Sequence, residues 1–247
     1  MILPFELSPA TAIWMAAASF GAGFVRGYSG FGFAALIVTS AALVTDPLVF
    51  VPVVVLADLV LTAQQARGIR ADIDWRRAGA LFAGCLAGVP VSIWALGLLG
   101  VDGARMAVSA FVLVMCAVLA VGWRRARAGG DEANLAVGLV SGLANGAAVG
   151  GLPVAAWFAA QPMAAATFRA TLIAYFTLLD LWTLPLMMWA GMVSGQTLMA
   201  TALLLPVMSL GVWAGGRRFL RTEPREFRRF AILLLSALAG AGLVRSL

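Results

Sequence analysis

Apolar residues run almost without interruption along this chain, with polar residues in short clusters between them. The run 106–123, MAVSAFVLVMCAVLAVGW, carries no charge, and neither does the stretch from Leu181 to Gly216. A helix crossing the hydrocarbon core needs about 20 mostly apolar residues. The first run therefore predicts one span and the second two, joined near Gly191–Gly195. Read the same way throughout, the pattern predicts ten helical segments at about 9–26, 29–45, 48–66, 78–99, 104–123, 134–148, 151–160, 165–190, 196–217 and 227–246. Segments two, six and seven are short or glycine-interrupted, and read as half-helices rather than full spans.

Composition supports lipid as the solvent. Hydrophobic residues make up 62% of the chain and charged ones 11%, where a soluble domain carries about a quarter charged. The expected fold class is an all-α polytopic membrane protein with about 8–10 membrane segments. The formal charge of +6 comes from 17 arginines without a single lysine. Such an excess in a soluble protein would point to nucleic acid. Here the arginines gather in gaps at 67–77, 123–132 and 217–229, the pattern of cytoplasmic loops, so no nucleic-acid partner is expected. Cys85 and Cys116 lie inside apolar runs and imply no disulfide framework. No cofactor and no metal site is expected. The first positive charge is Arg26, so the n-region of a cleavable signal peptide is missing.

An internal repeat is visible. GFVRG at 23–27 and GLVSG at 138–142 align at an offset of 115 residues (138 − 23), and the same offset sets Asp46–Pro47 against Gln161–Pro162 (162 − 47). This predicts a first repeat over 1–123, a basic cytoplasmic linker over 124–133 and a second repeat over 134–247, with five segments in each half. Loop charge alternates between the halves. The gap after segment three holds Arg67, Arg70, Arg76 and Arg77, whereas its counterpart around Ser194–Gly195 is neutral. The gap after segment four holds only Asp102 and Arg105, whereas its counterpart holds Arg217, Arg218, Arg221, Arg225, Arg228 and Arg229. Equivalent loops then fall on opposite sides of the membrane, the signature of inverted repeats, with both termini outside the cytoplasm.

The glycine clusters interrupt segments at matching places in the two halves. Irregular backbone survives in a bilayer only where it is buried in protein or lines a wet cavity. Broken half-helices offer free N–H groups and partial positive charge, which suits an anion. Ser29, Gly30, Gly32, Asn145, Gly146 and Gly150 are therefore candidate substrate-binding residues. Gly23, Gly27, Gly138 and Gly142 fit either that role or close helix packing through small residues. Arg26 and Arg169 lie within apolar segments, where an arginine faces a cavity or a partner, and both are candidates for anion binding. Arg169 also has Asp180 as a candidate structural partner, and Arg26 could instead snorkel to the interface. Asp58 and Asp180 are the acidic residues within spans, read as either proton carriers or ion-pair partners. Asp46 and Gln161 each precede a proline and are expected to cap the following helix.

The glycine-rich start, the Asp–Pro or Gln–Pro after it, and the recurrence of both beyond a basic linker resemble the TauE/SafE sulfite exporter family, also called TSUP. The resemblance implies an inner-membrane carrier for small, often sulfur-containing anions such as sulfite, sulfoacetate or thiosulfate. It also implies that two glycine-rich hairpins, here Arg26 to Gly32 and Gly142 to Gly151, meet near the membrane centre and frame the substrate. The chain departs from the family pattern at Ala147 and Ala148, where glycine is more common.

Two rival classes stand beside the carrier. Gly27-Tyr28-Ser29-Gly30 matches the GxSG signature of rhomboid-type intramembrane proteases, but no histidine or lysine exists to take the serine proton. An anion channel could use the same charges and carbonyl dipoles, although paired broken helices favour a carrier. The expected partners are a small anion and membrane lipid. Small-residue faces occur on most segments, so a homo-oligomer is open and no interface stands out.

Overall fold

The computed structural model describes residues 4–65 and 68–219. Arg67, the arginines from Arg221 onward, segment ten and the carboxyl terminus lie outside the described residues. Those residues form nine α-helices and no strand. The helices are α1 (Pro9–Ser29), α2 (Phe33–Ala42), α3 (Val51–Gln65), α4 (Trp75–Gly97), α5 (Val101–Val121), α6 (Asp131–Asn145), α7 (Gly151–Ala159), α8 (Ala165–Trp189) and α9 (Gly195–Phe219). Among the described residues five helical stretches are long and apolar enough to cross a bilayer: Pro47–Gln65, which includes α3, together with α4, α5, α8 and α9 up to Arg217. The chain is a multi-pass membrane protein. Its α6 begins at Asp131, inside the stretch expected to be linker, because Asp131 and Glu132 supply the negative charge that a helix start favours.

The remaining four helices make two hairpins. Ser8 opens α1 by accepting a hydrogen bond from the Thr11 amide, with Pro9 in the first turn. Gly30 and Gly32 then adopt φ of 80° and 85°, a left-handed conformation that costs glycine little, and the chain reverses across Phe31. In the second hairpin α6 stops at Asn145 and α7 starts at Gly151. The Trp14 indole donates to the Ser40 carbonyl at 3.2 Å, so α2 comes back to the level where α1 began. The Trp157 indole donates to Asn134 Oδ1 at 2.8 Å, which brings α7 back to the start of α6. Each hairpin therefore turns back along its own first helix.

Long-range hydrogen bonds sort the loops into two ends. At one end Asp74 N donates to Thr171 Oγ1 at 2.9 Å, and Arg76 pairs with Asp131 at 2.8 Å. The linker joins the same end, with Arg125 N on the Ala160 carbonyl at 2.6 Å and Gly129 N on Gln161 Oε1 at 2.9 Å. At the other end Phe5 N reaches Gln196 Oε1 at 2.8 Å, and Arg105 donates to the carbonyls of Ala42 at 2.8 Å and Thr45 at 3.2 Å. Arg105 thus satisfies carbonyls left open at the end of α2. Asp46 does cap the turn that follows it, accepting from Leu48 N at 2.9 Å. Gln161 does not, because its side chain is taken by the linker and by the Trp157 carbonyl, and Ala164 stands at the start of α8.

Helix α1 packs along α9, and α4 packs along α6. Each crossing is made by a pair of glycines on both helices. A Cβ on Gly23 or Gly27 would meet the carbonyls of Met208 or Val212, and one on Gly211 or Gly215 those of Phe20 or Phe24. Likewise Gly84 and Gly88 lie on Leu135 and Leu139, and Gly138 and Gly142 on Leu81 and Cys85. Of the two roles open to Gly23, Gly27, Gly138 and Gly142, the structure gives them close packing. Helices α3 and α8 meet each other between these pairs and carry Asp58 and Asp180.

Candidate functional site

The tips of the two hairpins meet over α3 and α8 around a cavity of about 40 Å³, room for a few waters or a small ion. One wall is Arg26 with Phe31, Gly32, Phe33 and the first turn of α2. The facing wall is Asn145, Ala148, Val149 and the first turn of α7. Asp58 of α3 and Asp180 of α8 complete the lining with Phe176.

Among the described residues Arg26 is the largest fully buried side chain, 1% exposed. Its Nη1 pairs with Asp58 Oδ1, and its Nη2 donates to Thr62 Oγ1 at 2.7 Å. The Phe33 ring lies 5.6 Å from the guanidinium, a cation–π distance. Among the described residues Arg26 Nε and Asp58 Oδ2 have no hydrogen-bond partner although both are buried. Asp180 stands next to Asp58. The alternative of Arg26 snorkelling to the interface is overturned, because the α1–α2 hairpin and α3 enclose it.

Gly32 and Asn145 also line the cavity. Asn145 Nδ2 donates to Thr183 Oγ1 at 2.9 Å, which holds the end of α6 against α8. The other predicted residues stand behind the wall. Ser29 Oγ lies 2.8 Å from the Val25 carbonyl and 3.0 Å from that of Phe31, so the hydroxyl ties the turn and is turned from the cavity. Gly30 packs against Arg169, Gly146 against Ser92 and Leu96, and Gly150 against Ser141 and Asn145. Arg169, expected to bind the anion with pairing to Asp180 as the alternative, does not line the cavity; its Nη2 donates to the Gly27 carbonyl at 2.8 Å, a brace between α8 and the first hairpin. Asp180 faces Asp58 instead.

Three positions escaped the sequence reading. Thr62 stands one turn beyond Asp58, on the same helix face, a spacing that was legible in VVVLADLVLTAQQ. Ser141 occupies the place in GLVSG that Arg26 occupies in GFVRG, and there it donates to the Gly150 carbonyl at 2.6 Å while accepting from Tyr175 OH at 2.7 Å. Ser92 accepts from Gly146 N at 3.0 Å and lies 2.9 Å from the Gly142 carbonyl, closing the end of α6. No pattern in the sequence marks Ser92 for that partner.

Ala148 has φ of 55°, left-handed and 4% exposed. An L side chain there costs about 1–2 kcal/mol, a cost that glycine avoids. Ala148→Gly is expected to raise stability by about 1 kcal/mol, read as a higher midpoint of thermal unfolding in detergent. Tyr175→Phe is expected to cost about 1–2 kcal/mol in the same assay, because Ser141 loses a buried partner.

Five apolar spans among the described residues, with two glycine-broken hairpins closing on a charged, buried cavity, define the class: a polytopic helical membrane protein with a buried polar cavity. Residues 15–242 match the Sulfite exporter TauE/SafE family, and the chain belongs to that family of membrane transporters. No curated protein and no solved structure matches the chain.

Proposed function

We infer that the protein is an inner-membrane secondary transporter for a small anion of the sulfite or organosulfonate type, working by alternating access. One observation carries this reading. A fully buried arginine projects into a cavity where the first turns of two half-helices, one from each half of the chain, converge. Arg26 supplies a full charge and the N–H groups of α2 and α7 supply partial ones, in a medium with few competing waters. Asn145 adds a neutral donor or acceptor. Gly32 allows the backbone to approach the ligand, whereas Ser29, Gly30, Gly146, Gly150 and Arg169 hold the hairpins in place.

The two-repeat organisation, 1–123 and 134–247 about the linker 124–133, supplies the rocking elements. Its support is the exchange of packing partners. Helix α1 lies on α9 as α6 lies on α4, α1 pairs with α2 as α6 pairs with α7, and α3 meets α8 at the centre. That is the pattern of an inverted pair. Stretches 68–77 and 123–130 gather at one end, which the arginine content assigns to the cytoplasm, and Phe5 then lies outside. Lipid surrounds the spans.

The test is flux of sulfite and sulfoacetate into proteoliposomes. Saturable uptake with counterflow supports the carrier, and conductance rising linearly with concentration supports a channel instead. Arg169→Gln is expected to lower flux severalfold, because the Gly27 carbonyl loses its charged donor, and to leave substrate selectivity unchanged. A change in selectivity would put Arg169 in contact with the anion.

A further inference from the structure

Arg26 cannot hold a substrate anion and Asp58 equally well at the same time. Its Nη1 is engaged by Asp58 Oδ1 and its Nη2 by Thr62, so an incoming anion competes with the carboxylate for the guanidinium. Asp58 then becomes a buried negative charge beside a second carboxyl, Asp180, and beside the anion itself. Uncompensated charge in such surroundings is costly, and the least costly remedy is a proton. The geometry offers it a place. Asp58 Oδ2 is buried without a partner among the described residues, Asp58 itself lines the cavity, and Asp180 is adjacent.

Resting on the anion-carrier reading, we propose that Asp58 and Asp180 form a proton site, and that one proton binds together with each anion. In the empty site Arg26 is paired with Asp58, and the two carboxyls hold a single proton between them. When the anion takes Arg26, a proton from solvent adds to the carboxyl pair, and both leave on the other side. No covalent bond to carbon or sulfur changes. The site is neutral before and after loading with a monoanion, so the loaded and empty carriers both cross the rocking step without net charge. The direction of net transport then follows the proton gradient, and the membrane potential has no grip on a monoanion.

The groups around the pair fit this assignment. Arg26 comes from α1, and on α8 Arg169 stands near Arg26 while Tyr175 stands near Asp180. Cys85 of α4 lies behind Tyr175. Helices α2 and α7 hold no titratable side chain, and neither does α9 up to Gly216. The two carboxyls are therefore the acidic groups at the cavity among the described residues.

Methanesulfonate is the probe, because it is a monoanion that does not itself titrate near neutral pH. Binding to purified protein, followed at several pH values, should weaken about tenfold per pH unit above the titration of the pair, the slope for one linked proton. In proteoliposomes carrying an internal pH dye, uptake should acidify the lumen and be indifferent to a valinomycin potential. Asp58→Asn should flatten the pH slope and make flux respond to the potential, since the anion then moves with its charge. Asp180→Asn keeps the pairing with Arg26 intact and should shift the pH midpoint while retaining a slope. Methanesulfonate transport without lumenal acidification, or an unchanged slope in Asp58→Asn, overturns the proton site and leaves the carrier standing. Absence of flux for methanesulfonate, sulfite and sulfoacetate alike overturns the carrier reading, and the proton site with it.

Discussion

Arg26→Gln is expected to abolish anion flux, by at least about a hundredfold, while the protein still inserts. Two losses combine. The anion forfeits a charge-assisted hydrogen bond in a water-poor cavity, worth about 1.5–3 kcal/mol. Asp58 is left as a buried charge without its partner, which costs about 3–5 kcal/mol when one member of such a pair is removed. The double variant Arg26→Gln/Asp58→Asn separates the two, because it replaces the ion pair by two neutral amides. Its thermal stability in detergent should recover most of the loss, and its flux should stay at background. Flux returning with stability would show that Arg26 serves only the fold.

The second large effect lies at the helix crossings. Gly84→Ala places a methyl group against the Leu135 carbonyl, and because that atom is backbone it cannot swing away. Helix α4 must separate from α6, and overpacking of this kind costs about 1–3 kcal/mol. Gly79, on the same helix, has no atom within 4 Å of the corresponding position. Gly79→Ala is therefore expected to be neutral or slightly stabilising. The comparison holds helix and chemistry constant and changes the surroundings, since Gly79 is exposed and Gly84 is buried against a neighbouring backbone. Unfolding midpoints of the two variants in one detergent decide it, and equal midpoints would mean that the α4–α6 crossing is not tight in solution. Because α1 and α9 cross through the same device, Gly27→Ala should resemble Gly84→Ala.

These two sites show how far the sequence could be read. The spans were legible because lipid leaves only one way to satisfy a backbone, and uninterrupted apolar runs such as 106–123 then have to be helices. The turns of the hairpins were legible for the complementary reason: glycines at 30 and 32 mark backbone that a regular helix cannot provide. Arg26, Asp58 and Asp180 stood out because charge within an apolar segment needs an explanation. The offset of 115 residues brought Arg26 and Ser141 into register before any coordinates did.

What a one-dimensional pattern could not supply was partnership. Arg169 and Arg26 look alike in sequence, yet Arg26 reaches the cavity and Arg169 braces the Gly27 carbonyl from α8. Asp180 was open to pairing with Arg169 and faces Asp58 instead, because α3 and α8 cross at the level of those two carboxyls. Glycine carries no side chain to reveal its neighbour, so the packing pairs at Gly84–Gly88 and Gly211–Gly215 were invisible until α4 lay on α6 and α9 on α1. Sequence alone determined that this chain lives in lipid, that glycines break its backbone near residue 30 and again near residues 146–151, and that a charge, Arg26, lies beside the first of those breaks. Tertiary structure decided which charge meets which, since polar groups in a bilayer find partners through space, between helices far apart along the chain.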